Sequence, residues 1–205
     1  MESITTVIVS ITAFITACSG LIISLKKAKK EVEETIPKKV KKQSDINMEI
    51  INRMEYLKEY LKADRIQIYD FHNGGHYANG RSALKTSCTY EVVRADIKHY
   101  QMELQSIPLS CIPQFIDTLL NNNEMKVADL EEIRDAMPGT YNLKKDEGIK
   151  SFYDIVITNK QKEPIGFLAI QYVTNHRKSF SINEQAEILK LKFFIEENLE
   201  KMLNK

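Results

Sequence analysis

Two neighbouring stretches, Phe152-Tyr-Asp-Ile-Val-Ile-Thr158 and Ile165-Gly-Phe-Leu-Ala-Ile-Gln-Tyr-Val173, decide the fold. Both are short runs rich in β-branched and aromatic residues, the composition of strands. Only Asn159-Lys-Gln-Lys-Glu-Pro164 separates them, so they form an antiparallel hairpin. Beyond the hairpin, Ser181 stands three residues ahead of Glu184, the spacing of a capping box at a helix start. The helix it opens carries Ile188, Leu191, Ile195, Leu199 and Met202 on one stripe, near heptad spacing.

Toward the N-terminus the pattern changes period twice. From Ser44, Ile46, Ile50, Met54, Leu57 and Leu61 fall on one helical stripe, with Glu49, Arg53, Glu55 and Lys58 off it. Arg65-Ile-Gln-Ile-Tyr-Asp-Phe71 then alternates in twos, which reads as a strand, and His72-Asn-Gly-Gly-His76 supplies a turn. A second strand covers about Leu84 to Val93. A helical region is expected from Gln101 to Asn122, interrupted at Pro108 and Pro113, then a short strand from Met125 to Leu130. A helical or loop stretch to Met137 and a turn at Pro138-Gly139 lead back to the hairpin.

The first stretch of the chain has a different character. Ser3 to Leu25 contains no charged side chain and is long enough, at 1.5 Å per residue, to cross a hydrocarbon core of about 30 Å. A signal peptide would need a basic start and a shorter apolar core; here Met1-Glu2 opens the chain, and Lys26, Lys27, Lys29 and Lys30 close the stretch as a stop-transfer flank. Those lysines predict a cytoplasmic domain. Ala13, Ala17 and Gly20 lie at helical spacing, either as a small-residue contact face or simply as tolerated residues. From Lys26 to Lys42 the chain is charged, with Pro37 expected to break any helix, so a solvated stalk is expected whose lysines suit anionic headgroups.

Composition bounds the rest. The chain has 205 residues, 43% hydrophobic and 28% charged, as a folded domain plus an anchor would. A net charge of +1 gives no case for nucleic-acid binding. Cys18, Cys88 and Cys111 show no pairing pattern, which suits a reducing compartment.

The order helix, two strands, helix, strand, hairpin, long C-terminal helix resembles a GAF domain, the sensory fold related to PAS. The likeness runs from about Ser44 to Lys205 and is clearest at Ile165–Val173, Phe180-Ser-Ile-Asn-Glu184 and the final helix. The expected class is therefore α+β: a GAF/PAS-like antiparallel sheet flanked by N- and C-terminal helices and preceded by one transmembrane helix. Residues 1–25 would be the span, 26–43 the stalk and 44–205 the domain. In such domains the terminal helices commonly pair with those of a second subunit. The resemblance thus implies a homodimer through residues 46–61 and 188–202, unless each stripe only covers its own sheet. Some GAF domains bind cyclic nucleotides through Phe, three residues, then Asp-Glu. Here Phe180 reaches Glu184 one position short and without the Asp, so that activity is not carried over. Cys88 and Cys111 do not match the GAF-like methionine sulfoxide reductases either.

The most unusual segment is Asp70-Phe-His-Asn-Gly-Gly-His-Tyr-Ala-Asn-Gly-Arg81. As a ligand-facing loop, Asp70, His72, Asn73, His76, Tyr77, Asn79 and Arg81, with Cys88 on the next strand, would contact a small polar molecule or a protein partner. As a plain hairpin loop, its glycines and asparagines supply positive φ. A metal held by His72, His76 and Cys88 lacks a helical frame for its histidines, and no metal or cofactor is expected. No Walker loop, zinc-protease motif or serine elbow is present, so no enzyme is expected.

The leading expectation is a membrane-anchored sensory or regulatory module whose output passes through the span or another protein. Two others stand beside it. The layout of one span followed by a soluble domain resembles the holins of T-even phages, whose soluble domains face the periplasm. A scaffold that recruits a partner to the lipid bilayer is the third.

Overall fold

The computed structural model describes residues 19–20 and 36–203 of the chain. The expected span lies outside the described residues apart from Ser19 and Gly20, as does the stalk up to Thr35. Among the described residues no helix is long and apolar enough to cross a membrane. The chain divides into units Met1–Ser44 and Asp45–Lys205, and the sheet and its coverings belong to the second.

Helix α1 runs from Ile36 to Leu61. Pro37 does not break it, because proline in the first turn removes only an N–H that has no helical partner. Strands β1 (Arg65–His76) and β2 (Ser82–Val93) form a long antiparallel pair. Next come a two-residue strand β3 (Ile107–Pro108), a 3₁₀ turn at Leu109–Cys111, helix α2 (Pro113–Asn122) and strand β4 (Glu124–Val127). A 3₁₀ turn at Leu130–Ile133 and helix α3 (Pro138–Asp146) precede the hairpin β5 (Ser151–Thr158) and β6 (Pro164–Tyr172), and α4 (Ile182–Leu203) follows.

The hairpin is where the sequence placed it, and its strands sit inside one six-stranded sheet of order β3-β2-β1-β6-β5-β4. β6 also pairs with β1, Arg65 opposite Gln171 and Asp70 opposite Gly166, which joins the two halves of the chain. The capping box is formed: the Ser181 N–H donates to Glu184 at 2.7 Å, and the Glu184 N–H donates back to the Ser181 hydroxyl at 3.3 Å.

Three further sequence expectations are corrected. His72–His76 is not a turn; β1 continues to His76 through a register shift after Asn73, and the turn falls at Tyr77–Gly80. No α-helix covers Gln101 to Ile112; turns, bends, the β3 edge strand and the 3₁₀ turn at Leu109–Cys111 occupy it, and Pro113 starts α2 rather than interrupting a helix. Pro138-Gly139 is not a turn but the start of α3.

One face of the sheet is apolar and covered by the terminal helices. Ile50, Met54, Leu57 and Leu61 of α1 and Ile188, Leu191 and Ile195 of α4 pack there against Ile66, Ile68, Ile157, Leu168 and Ile170. The stripes expected to join two subunits are therefore spent on the chain's own sheet; Leu199 and Met202 lie outside the described side chains. Fully burying each such side chain contributes about 1.5–3 kcal/mol.

Gly166 lies opposite β1 so closely that a Cβ there would meet the Tyr69 carbonyl oxygen at 2.0 Å. Gly166→Ala should therefore destabilise the domain by about 1–3 kcal/mol. Urea titration would show this as a lower midpoint with an unchanged slope.

Candidate functional site

The second face of the sheet is not apolar throughout. Alternation along β1 puts Ile66 and Ile68 under the terminal helices and turns Arg65, Gln67 and Tyr69 the other way. Solvent does not reach them, because α3 and residues 94–104 lie over that face; Arg65 and Gln67 are wholly buried. The Arg65 guanidinium donates to Glu147 and to Gln171 at 3.1 Å each and to the Lys98 carbonyl at 2.9 Å. Its Nε lies 3.3 Å from Glu91. Glu91 accepts from Gln67 at 2.8 Å and from the backbone N–H groups of Tyr100 and Gln101 at 2.9 and 3.0 Å. Gln171 donates to Gln67 at 2.7 Å and thereby closes the row across three strands.

Beside this row α3 presents Thr140 and Lys144, with Glu147 just past its end. Spacings of four and three put all three on one helix face. Together with Tyr69, Phe115 and Phe167 they line a cavity of about 20 Å³, room for a single water. Tyr69 and Phe167 stack at 4.5 Å, and Phe115 meets Phe167 edge-on at 5.5 Å. Lys144 donates to Asp154 at 3.0 Å and holds its ammonium 4.1 Å from the Phe152 ring centre. Among the described residues the buried side-chain atoms without a hydrogen-bond partner are Arg65 Nε, Thr140 Oγ1 and Asp154 Oδ1, all in this cluster. Such orphans are uncommon in folded proteins and mark strain, an ordered water or ion, or a function.

Burial also shifts the acids. It pushes Glu147 up to about 7, against the opposing pull of Lys144 and Arg65. Asp154 is raised for the same reason, with Lys144 again opposing. The Tyr69 phenol is raised by burial first and by the charge of Glu147 second.

The residues singled out in the sequence lie elsewhere or play local parts. Asn73 accepts the Gly75 N–H at 3.0 Å within the irregular end of β1, and Asn79 accepts the Arg81 N–H at 3.1 Å in the turn that follows. The Arg81 guanidinium lies 4.9 Å from the Tyr77 ring centre. His76, Tyr77, Asn79 and Arg81 are exposed at the hairpin tip. His72 shares a 2.8 Å hydrogen bond with Ser87, and Asp70 is half-buried with its carboxyl raised by burial. Cys88 is buried, donates to the Tyr90 carbonyl at 3.4 Å, and has its thiol pushed well up by burial, which leaves it inert near neutrality. Among the described residues no three His, Cys, Asp or Glu side chains gather as metal ligands. Sequence reasoning missed Thr140, Lys144 and Glu147 because it missed α3; their helical spacing was the signal available.

No family model matches the chain, and no curated protein matches it significantly. Solved structures do. A far-red cyanobacteriochrome photoreceptor is similar at 13% identity and a TM-score of 0.60, over 86% of this chain and 98% of that one. The blue-light absorbing form of the PixJ GAF domain of Thermosynechococcus elongatus is similar at 13% identity and 0.56, over 78% and 92%. A phycocyanobilin-bound GAF domain from a cyanobacterial phytochrome is similar at 17% identity and 0.51, over 78% and 94%. At such identities the likeness bears on fold, and the fold is GAF-like.

The position of Glu147 makes stability depend on pH. Its folded value of about 7 exceeds its ordinary 4.5, so between these values the native state binds more protons than the unfolded chain. Stability should fall as pH rises through that window, by about 3 kcal/mol, and level off above it. Glu147→Gln should flatten this part of the curve in urea titrations from pH 4.5 to 8.

Proposed function

We propose that the chain is a sensory module of GAF-like fold, without catalytic activity, that takes up a small polar molecule on the second face of its sheet. The observation that carries this reading is the cavity at Thr140, Lys144 and Glu147, with unpartnered polar atoms buried in its wall and beside it. Folded cores rarely leave such atoms unsatisfied, and a cluster of them around one cavity favours a site for a small polar molecule. A ligand bound there would press on α3, and through Arg65 on strands β1 and β6, whose opposite face carries the terminal helices.

The ligand is smaller than the bilin held by the phytochrome domain. Pockets for molecules of that class measure about 300–1,000 Å³; this cavity is far below that. The signal would leave through α1 and α4. Their outward sides carry Tyr56, Tyr60, Leu189 and Phe193, all exposed, and these offer a surface through which a second copy of the chain would pair. The charge-free stretch Ser3–Leu25 and the lysines after it support a membrane anchor with the domain on the cytoplasmic side.

The full chain in detergent micelles, screened by thermal shift against small metabolites, should be stabilised by at least one, and phycocyanobilin should have no effect. Thr140→Val should weaken the response while near-ultraviolet circular dichroism stays unchanged. A chain that responds to nothing in such a panel is not a ligand sensor. For the anchor, reporters fused after Lys205 should be active only when they require the cytoplasm; activity of a periplasmic reporter instead would reverse the topology.

A further inference from the structure

The charges enclosed around the cavity do not cancel. Arg65 and Lys144 bring two positive groups; Glu91, Glu147 and Asp154 bring three negative ones, all five side chains at least nine-tenths buried. Fully ionised, the cluster carries one surplus negative charge in a medium where an uncompensated charge is costly. At the rim, His99 Nδ1 lies 3.2 Å from Glu91 and adds a positive charge only when protonated; with His99 neutral, a proton or a cationic ligand would balance the cluster. An anionic ligand would deepen the imbalance, and a neutral one would leave it.

The walls suit a cation in two further ways. Aromatic rings attract positive charge through their faces, and Tyr69, Phe115 and Phe167 line the cavity. The chain already seats one ammonium in this wall, since Lys144 Nζ lies 4.1 Å from the Phe152 ring centre and 5.6 Å from that of Phe115. Independently of the acids, the unpartnered Thr140 Oγ1, on a residue 3% exposed, offers an acceptor within the cavity wall.

We infer that the ligand of this site is a water-sized cation, ammonium or at most methylammonium, held by the Glu147 carboxylate, the Thr140 hydroxyl and the aromatic wall. The inference rests on the reading of the cavity as a ligand site and narrows it to one chemical class. Without the ligand and below about pH 7, a proton on Glu147 offsets the surplus charge. The groups that set its protonation are Arg65 from β1, Glu91 and Cys88 from β2, Lys144 from α3 and Asp154 from β5, together with the Tyr69 phenol. Cation and proton then compete for the same carboxylate. Below the Glu147 value of about 7 the apparent affinity should fall about tenfold per pH unit.

The test uses the full chain in detergent micelles, with ammonium and methylammonium chloride as cationic probes and sodium acetate and phosphate at equal ionic strength as anionic ones. At pH 8 the cations should raise Tm by about 4 °C once at ~10 times their Kd, and the anions should not. At pH 5.5 the cation response should be largely lost. Glu147→Gln should abolish it at both pH values while circular dichroism shows an intact fold; Glu147→Asp should retain part of it. If the anions stabilise the chain and the cations do not, the cationic class is wrong while the ligand site stands. If neither class, nor any molecule of the metabolite panel, moves Tm, the site reading fails with it. A cation response that survives in Glu147→Gln places the cation elsewhere and overturns the inference.

Discussion

A single guanidinium ties the second layer of the molecule to its sheet. Arg65 sits on the first residue of β1, wholly out of solvent, and reaches Glu147 beyond α3, Gln171 on β6 and the Lys98 carbonyl in the long connection after β2. These segments are far apart in the chain, and one side chain holds them in register. A lysine could not replace it: an ammonium lacks the planar fork that spans such partners. The pairing of β1 with β6 sets the two halves of the sheet side by side, and Arg65 opposite Gln171 begins that ladder.

The two faces of the sheet divide the labour. The face under α1 and α4 is built mainly from aliphatic side chains, with Tyr153, Tyr172 and Phe180 among them and almost no exposure, and burial of that kind supplies most of the stability. The other face mixes a satellite apolar cluster around Phe115, Leu119 and Phe152 with the charged row. Charged groups placed there add little net stability, because desolvation offsets their attraction. Their retention is easier to understand as specificity of arrangement, or as a site, than as glue.

What was legible in the sequence was local and apolar. The β5–β6 hairpin, the capping box at Ser181 and the α1 stripe each announce themselves within a dozen residues, and each is present. What was not legible needed a tertiary fact. Pro138-Gly139 has the composition of a turn. In the fold, proline occupies the first helical position, and the glycine allows the backbone to approach the Cys111 carbonyl so closely that a Cβ would lie 2.1 Å from it. Arg65 and Gln67 alternate with isoleucines as on a half-solvated strand, and nothing local reveals that a second layer covers them. The glycines of His72–His76 suggested a turn, whereas Gly75 takes its positive φ inside a bulge. The cavity at Thr140, Lys144 and Glu147 went unread for the same reason as α3, while the conspicuous polar segment forms the end of the β1–β2 hairpin.

That hairpin has a mechanical consequence. Beyond Asp70, β1 no longer borders β6, and β2 touches β3 only at Lys85 and Thr86, so the end of the pair stands out as a two-stranded ribbon. Its amides are held by one ladder instead of two, and they should exchange with deuterium well before those of β5 and β6. A ribbon that opens independently can also carry foreign cargo. The tip at Ala78–Gly80 is the natural point for inserting an epitope, a fluorophore or new chain termini, since fraying there leaves both layers of the core assembled.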